Sequence, residues 1–241
     1  MAITEIAARR AAPADLDAVA ELIAATFPVP LASSLIPEAH RRKDILTSYV
    51  WQRLSRAAPH GHIHVLDTGP RITTVAVWLP RIDVSPPTDE GLLEPAGGPH
   101  YGTLFPTLER LLEARRPAQP HHYLVYLAVH PDREHFRREL TDVLLRHHHT
   151  YLDQLGMPAY LEANSRPARD LCRQHGYRRR PTAKLAGLSL RTSLPGVRFW
   201  PLWRPPHAGA EPAARTSRAT SRPRNSLSLH NDPAPRKTHH R

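Results

Sequence analysis

One cysteine, Cys172, in 241 residues means that no disulfide can form within the chain, which suits a reducing compartment. No apolar run approaches the ~20 residues needed to cross a bilayer as a helix, so no membrane span is expected. The opening Met1-Ala2-Ile3-Thr4-Glu5 lacks a basic segment followed by an apolar one, so no secretory signal is expected and a cytoplasmic location is. There is no internal repeat, and no helix-turn-helix, zinc-finger or RNA-binding signature. Trp51, Trp78, Trp200 and Trp203 are not interleaved with Lys or Arg as a base-stacking surface requires, so they read as core or cavity wall.

Acidic residues are the scarce charge: 22 Asp and Glu face 33 Lys and Arg, a net +11. The excess is uneven. From Pro206 to Arg241 six Arg and one Lys face only Glu211 and Asp232, a net +5 in a short span, and large apolar residues nearly vanish there. Residues 1–205 are expected to form one domain, and residues 206–241 a disordered, basic Pro/Arg/Ser-rich tail. With 40% apolar residues, a chain of this length can build one good-sized core.

Within the domain, hydrophobic spacing names the elements. Ile3 to Arg9 reads as a short strand. Leu16, Val19, Ala20, Ile23 and Phe27 recur at three- and four-residue intervals and predict a helix from Pro13 to Phe27. A second helix is expected from Pro37 to Ala57, with Ile45, Leu46, Tyr49, Val50 and Leu54 inward. Gly61 to Leu66 and Ile72 to Leu79, separated by Asp67-Thr68-Gly69-Pro70, read as a hairpin. Pro80 to Tyr101 reads as a long loop and Thr103 to Arg116 as a helix. His122 to Val129 is apolar almost throughout, as a strand buried on both faces would be. A helix from Phe136 to Leu155 follows, with Leu140, Val143, Leu144, Tyr151 and Leu155 as its inner stripe, ended by a left-handed Gly156. Pro158 to Ala163 is the next strand, Arg166 to His175 a short helix, and Tyr177 onward and Val197 to Trp203 are strands.

Three segments in this order carry a resemblance. Leu127-Ala128-Val129-His130-Pro131 resembles the strand end before an acetyl-CoA loop. Gly156 to Ser165 resembles the following strand with its trailing Asn164. Leu171-Cys172-Arg173-Gln174-His175-Gly176-Tyr177 is similar to a helix end usually written Leu-Tyr-Glu-Arg-His-Gly-Phe. Trp200 to Pro205 looks like a closing strand. Together they resemble the GNAT superfamily of acetyl-CoA-dependent N-acetyltransferases, over Ile3 to Pro205 in layout and most sharply from His122 to Tyr177. The resemblance implies a mixed α/β (α+β) fold: a central mixed, largely antiparallel sheet with splayed central strands, flanked by helices. It also implies that the backbone of Leu127, Ala128 and Val129 pairs with the pantetheine arm of acetyl-CoA as another strand would. Asn164 would hydrogen-bond that arm, and the next helix start would face the pyrophosphate. The acceptor would be an amine of unknown identity, in a pocket made by the first two helices and the loop from Pro80 to Tyr101.

Two departures from the family stand out. Its glycine-rich pyrophosphate loop is here Arg133-Glu134-His135-Phe136-Arg137-Arg138-Glu139, without glycine. Arg133, Arg137 and Arg138 are the groups that would hold phosphate through side chains instead. The family's Tyr that protonates the leaving thiolate is replaced by Cys172, a thiol with a lower reference pKa but a shorter reach. No general base is evident in the sequence; Glu162, Tyr123 and Tyr126 are candidates by position only. The chain has 17 His. His147, His148 and His149 point in different directions around a helix and make no site alone, and Cys172 with His175 offers too few ligands for zinc. No metal is expected, and the histidines are expected to be exposed or to serve in packing. Two rival readings remain: a GNAT-fold protein with weak or lost CoA binding, and weak, nonspecific nucleic-acid contact through the basic tail.

Overall fold

The structure, a computed structural model, describes residues 7–82, 99–180 and 198–207. Its strands are β1 (Arg9–Arg10), β2 (His62–Asp67), β3 (Ile72–Arg81), β4 (His121–Val129), β5 (Ala159–Ala163), β6 (Arg178–Arg179) and β7 (Trp200–Arg204). Its helices are α1 (Leu16–Ala25), α2 (Val29–Leu35), α3 (Arg42–Ala57), α4 (Pro99–Glu113), α5 (Arg137–Gln154) and α6 (Arg166–Gln174). The strands form one sheet in the order β1-β2-β3-β4-β5-β7-β6. Every neighbouring pair is antiparallel except β4 with β5.

β4 is the element on which the rest depends. Val77 of β3 faces Tyr126 and Trp78 faces Leu124, so Val125 is an extra residue bulged out of the ladder. Side chains alternate across a strand, so one inserted residue moves all that follow to the other face. Leu124 and Val129 therefore share a face despite their odd separation, and Ala128 lies on the opposite one. The parallel pairing of β4 with β5 runs only from His122–Ala159 to Leu124–Leu161. Beyond it the strands part, while β5 stays paired along its whole length with β7 on its other edge. Backbone groups in a strand point to either side, so from Val125 to Val129 those facing β5 have no strand to meet among the described residues.

The sheet separates two cores. Helices α1 to α4 cover one face and pack against Val65, Val75, Val77 and Ala128. Helices α5 and α6 cover the other and pack against Ala76, Trp78, Val129 and Leu161. Gly156 ends α5 with φ 60°, and the N–H of Met157 returns to the carbonyl of Leu152 at 2.9 Å, the left-handed stop its sequence predicts.

Several elements differ from their predicted bounds. The first helix opens as a 3-10 turn at Pro13–Asp15, and the second is preceded by one at Ala39–Arg41. Helix α2 was not anticipated; its Pro30 occupies the first turn, where no N–H is needed. Helix α4 starts earlier than expected, at Pro99, and keeps Pro106 inside it. The inner stripe of α5 is also corrected: Leu140, Leu144, His148 and Leu152 are buried at strict four-residue spacing, while Tyr151 and Leu155 are exposed. The expected strand at Ile3 to Arg9 is described only at its end, as β1. Most of the Pro80–Tyr101 loop, residues 181–197 and tail residues 208–241 lie outside the described residues.

Candidate functional site

Where β4 and β5 part, a cavity of ≈130 Å³ opens on the α1–α4 face. Its far wall is apolar, from Ile23, Phe27 and Leu31 to Leu108 and Leu112. Its floor is the free edge of β4 together with Glu162 of β5. Residues alternate along β5, so Ala159, Leu161 and Ala163 enter the opposite core while Glu162 points into the cavity.

Two carboxylates meet here in opposite states. Glu109 of α4 pairs with Arg53 of α3 and accepts a hydrogen bond from the Tyr49 hydroxyl, while Arg116 lies 3.8 Å from its second oxygen. Burial alone would push this carboxyl up, but the guanidinium of Arg53 and its other partners outweigh it and hold Glu109 below the usual carboxylate range. Glu162 is almost fully buried, its side chain 2% exposed. Tyr160 donates a hydrogen bond to its Oε1 at 3.2 Å, and Arg115 lies 3.3 Å from the same oxygen. Its Oε2 is buried without a partner. Here burial outweighs Arg115 and Arg116, and the carboxyl is pushed up to about 7. Divergent pKa values in neighbouring carboxylates separate a fixed charge from a group that exchanges protons near neutrality. Tyr123, also lining the cavity, is pushed up to about 12 by burial and keeps its proton.

The structure brings some of the sequence-predicted residues together and separates others. Leu127, Ala128, Glu162 and Asn164 line the cavity, with Asn164 exposed at its rim. Tyr123 and Tyr126, the other residues proposed as bases, line it as well. Val129 contributes its backbone to β4, while its side chain packs in the opposite core. Cys172 does not line the cavity. It is buried in the core beneath α5 and α6, and burial pushes its thiol up to about 12, so its predicted catalytic place is corrected to a packing one.

Arg137 and Arg138 do not converge either. A 3-10 turn from Pro131 to Phe136 occupies the glycine-loop position, and the amides of Asp132 and Arg133 are spent on the His130 ring and carbonyl. Arg137 makes two hydrogen bonds to Glu134, at 2.6 and 2.5 Å. Arg138 lines a separate polar groove between α5 and α6, with Arg146, His175 and Arg204. Sequence reasoning passed over Arg53 and Glu109. The signal was there: each is a charge set on the inward stripe of an amphipathic helix, beside Tyr49 and Leu54 in one case and Leu108 and Leu112 in the other.

No family model matches the chain, and no curated protein matches it. Solved structures do. The histone acetyltransferase HPA2 and related acetyltransferase of Corynebacterium glutamicum has 19% identity, over 85% of this chain and 98% of its own, with a TM-score of 0.58. An agmatine N-acetyltransferase has 17% identity, over 82% of this chain and 98% of its own, with a TM-score of 0.53. The PaiA N-acetyltransferase of Thermoplasma acidophilum, solved in complex with coenzyme A, has 8% identity, over 84% of this chain and 99% of its own, with a TM-score of 0.50. Identities this low leave only the path of the chain in common, and that path, with its parted central strands, is the GNAT fold.

Proposed function

We propose that the chain is an N-acyltransferase that moves an acetyl group from acetyl-CoA to an amine by direct attack, with Glu162 as the base. One observation carries this reading: a buried carboxylate with one unpartnered oxygen, poised near pH 7, facing a cavity whose floor is an open strand edge. The open edge from Val125 to Val129 fits an amide-bearing pantetheine arm, since each side would satisfy the other's N–H and C=O groups. The solved relative holding coenzyme A supports a CoA-type donor.

The step follows from these groups. Ionised Glu162 takes one proton from the acceptor ammonium, and the free amine attacks the thioester carbonyl. The C–N bond forms, and the developing oxyanion meets N–H groups of the β4 edge. The C–S bond breaks, and the second proton of the attacking nitrogen leaves with sulfur as the thiol. Glu162 then releases its proton to solvent. Leu127, Ala128 and Asn164 hold the arm, and the apolar wall from Phe27 to Leu112 receives the acceptor's carbon part. Arg133 and Arg138 are the side chains left to meet phosphate, because Arg137 is held by Glu134.

The glycine-less turn favours one rival, a GNAT-fold protein that has lost CoA binding. Calorimetric titration with acetyl-CoA separates the two: binding is expected, and none at millimolar ligand refutes the enzyme reading. For a wild type that binds, Glu162→Gln should lower kcat/KM by at least about a hundredfold and leave acetyl-CoA affinity within about twofold. Wild-type kcat/KM should rise with pH through about 7, and the variant should lose that limb.

A further inference from the structure

On the other face of the sheet, remote from the cavity, the fold gathers histidines from three elements. His62 and His64 stand two apart on β2 and share a face, His122 lies on β4, and His148 comes from the buried stripe of α5. One ring nitrogen from each of His62, His64 and His148 lies within 4.8 Å of the others. His64 Nε2 is 3.1 Å from His148 Nδ1, and His148 Nε2 is 3.2 Å from His122 Nδ1. The His148 ring stacks on Trp78, centroids 4.3 Å apart. His64 and His148 are 8% and 1% exposed, and His64 Nδ1 is buried without a partner.

From this geometry we infer that His62, His64 and His148 form a binding site for a divalent transition-metal ion of the zinc type. Two imidazole nitrogens on a tetrahedral zinc, each about 2.0–2.1 Å from the ion, lie about 3.3 Å apart. The His64–His148 separation is already close to that. His62 is half-buried at the edge of the group, its ring centroid 5.2 Å from that of His148. A ligating imidazole commonly hands its second N–H to an acceptor that fixes its tautomer, and His122 Nδ1 is that acceptor for His148 Nε2. Burial holds these rings in the neutral form that ligates metal, with His64 and His122 lowered to about 4. All-nitrogen donors suit zinc, cobalt, nickel and copper and disfavour calcium or magnesium. As packing alone the cluster is a poor core: apolar side chains would fill this layer without leaving a buried ring nitrogen unmatched. A bound ion would tie β2 to α5.

The test uses the full chain, stripped with chelator and titrated with Co²⁺. One equivalent should bind and give the intense visible absorption of a four- or five-coordinate ion, and one equivalent of Zn²⁺ should raise the melting temperature. His62→Gln should keep the metal-free melting temperature, because the residue is only half-buried, yet weaken Co²⁺ binding at least about tenfold. His122→Phe, which removes only the orienting acceptor, should weaken it by about tenfold as well. Absence of a stoichiometric Co²⁺ spectrum in the wild type overturns the assignment. So does undiminished binding in His62→Gln, which would move the ion elsewhere in this histidine-rich chain.

Discussion

Glu109 and Glu162 share one cavity, yet their surroundings drive them apart, and each difference is measurable as stability. Glu162 has a folded pKa of about 7, above its ordinary 4.5. Folding therefore favours its protonated form. The stability this gives is fully present below about pH 4.5 and is lost as pH rises through 7. Glutamine is neutral throughout, so Glu162→Gln should raise the melting temperature at pH 8 and change it little at pH 5. An equal shift at both pH values would show that the carboxyl is not held up by burial. Glu109 depends on its cation instead. Replacing Arg53 with Ala leaves a buried carboxylate short of its main partner, and breaking such pairs typically costs about 3–5 kcal/mol. Chemical denaturation of Arg53→Ala should show a loss of at least about 2 kcal/mol, since Arg116 remains within reach of Glu109. A loss under about 0.5 kcal/mol would mean the pair is no more than a surface contact.

At the scale of the element, the turn between β4 and α5 decides how an acyl-CoA donor is held. Three arginines in six residues suggest a combined phosphate grip, and the structure separates two of them. Arg137 is occupied by Glu134, and Arg138 lies in the groove between α5 and α6. The two single substitutions should therefore behave differently. Arg138→Ala should weaken acetyl-CoA binding by about tenfold, the worth of one charge-assisted hydrogen bond, and Arg137→Ala by less than about threefold. The reverse order in calorimetry would show that the Glu134 pair opens when the donor binds. The stripe of α5 shows how far sequence carries an element. Leu140, Leu144 and Leu152 mark the buried face correctly. The predicted stripe left out His148 and included Tyr151 and Leu155, which are exposed. The four-residue spacing through His148 was visible all along, but an imidazole is buried or exposed according to its neighbours, and those come from β2 and β4.

At the scale of the whole molecule, the packed chain continues slightly beyond the expected boundary at residue 205. Arg204 grips Asp153 of α5 with two hydrogen bonds, at 2.8 and 2.6 Å, and the N–H of His207 donates to Asp153 Oδ1 at 2.8 Å. A chain ending after His207 should melt within about 2 °C of the full-length protein, and a core that unfolds on that trimming would refute a single domain with a dispensable tail. Removing the basic tail should also abolish most of any nucleic-acid affinity at moderate salt. Unchanged affinity would place that binding in the folded domain. The sequence by itself determined the alternation of helices and strands, the double-sided burial of β4 and the left-handed stop at Gly156. These follow from local periodicity and backbone preference, which act over a few residues. Only the tertiary structure decided the bulge at Val125, the parting of β4 from β5, the pairing of Arg53 with Glu109, the removal of Cys172 from the cavity and the meeting of His64 with His148 across 84 residues. Each of these depends on which elements lie side by side in the sheet, and no short stretch of the chain carries that information.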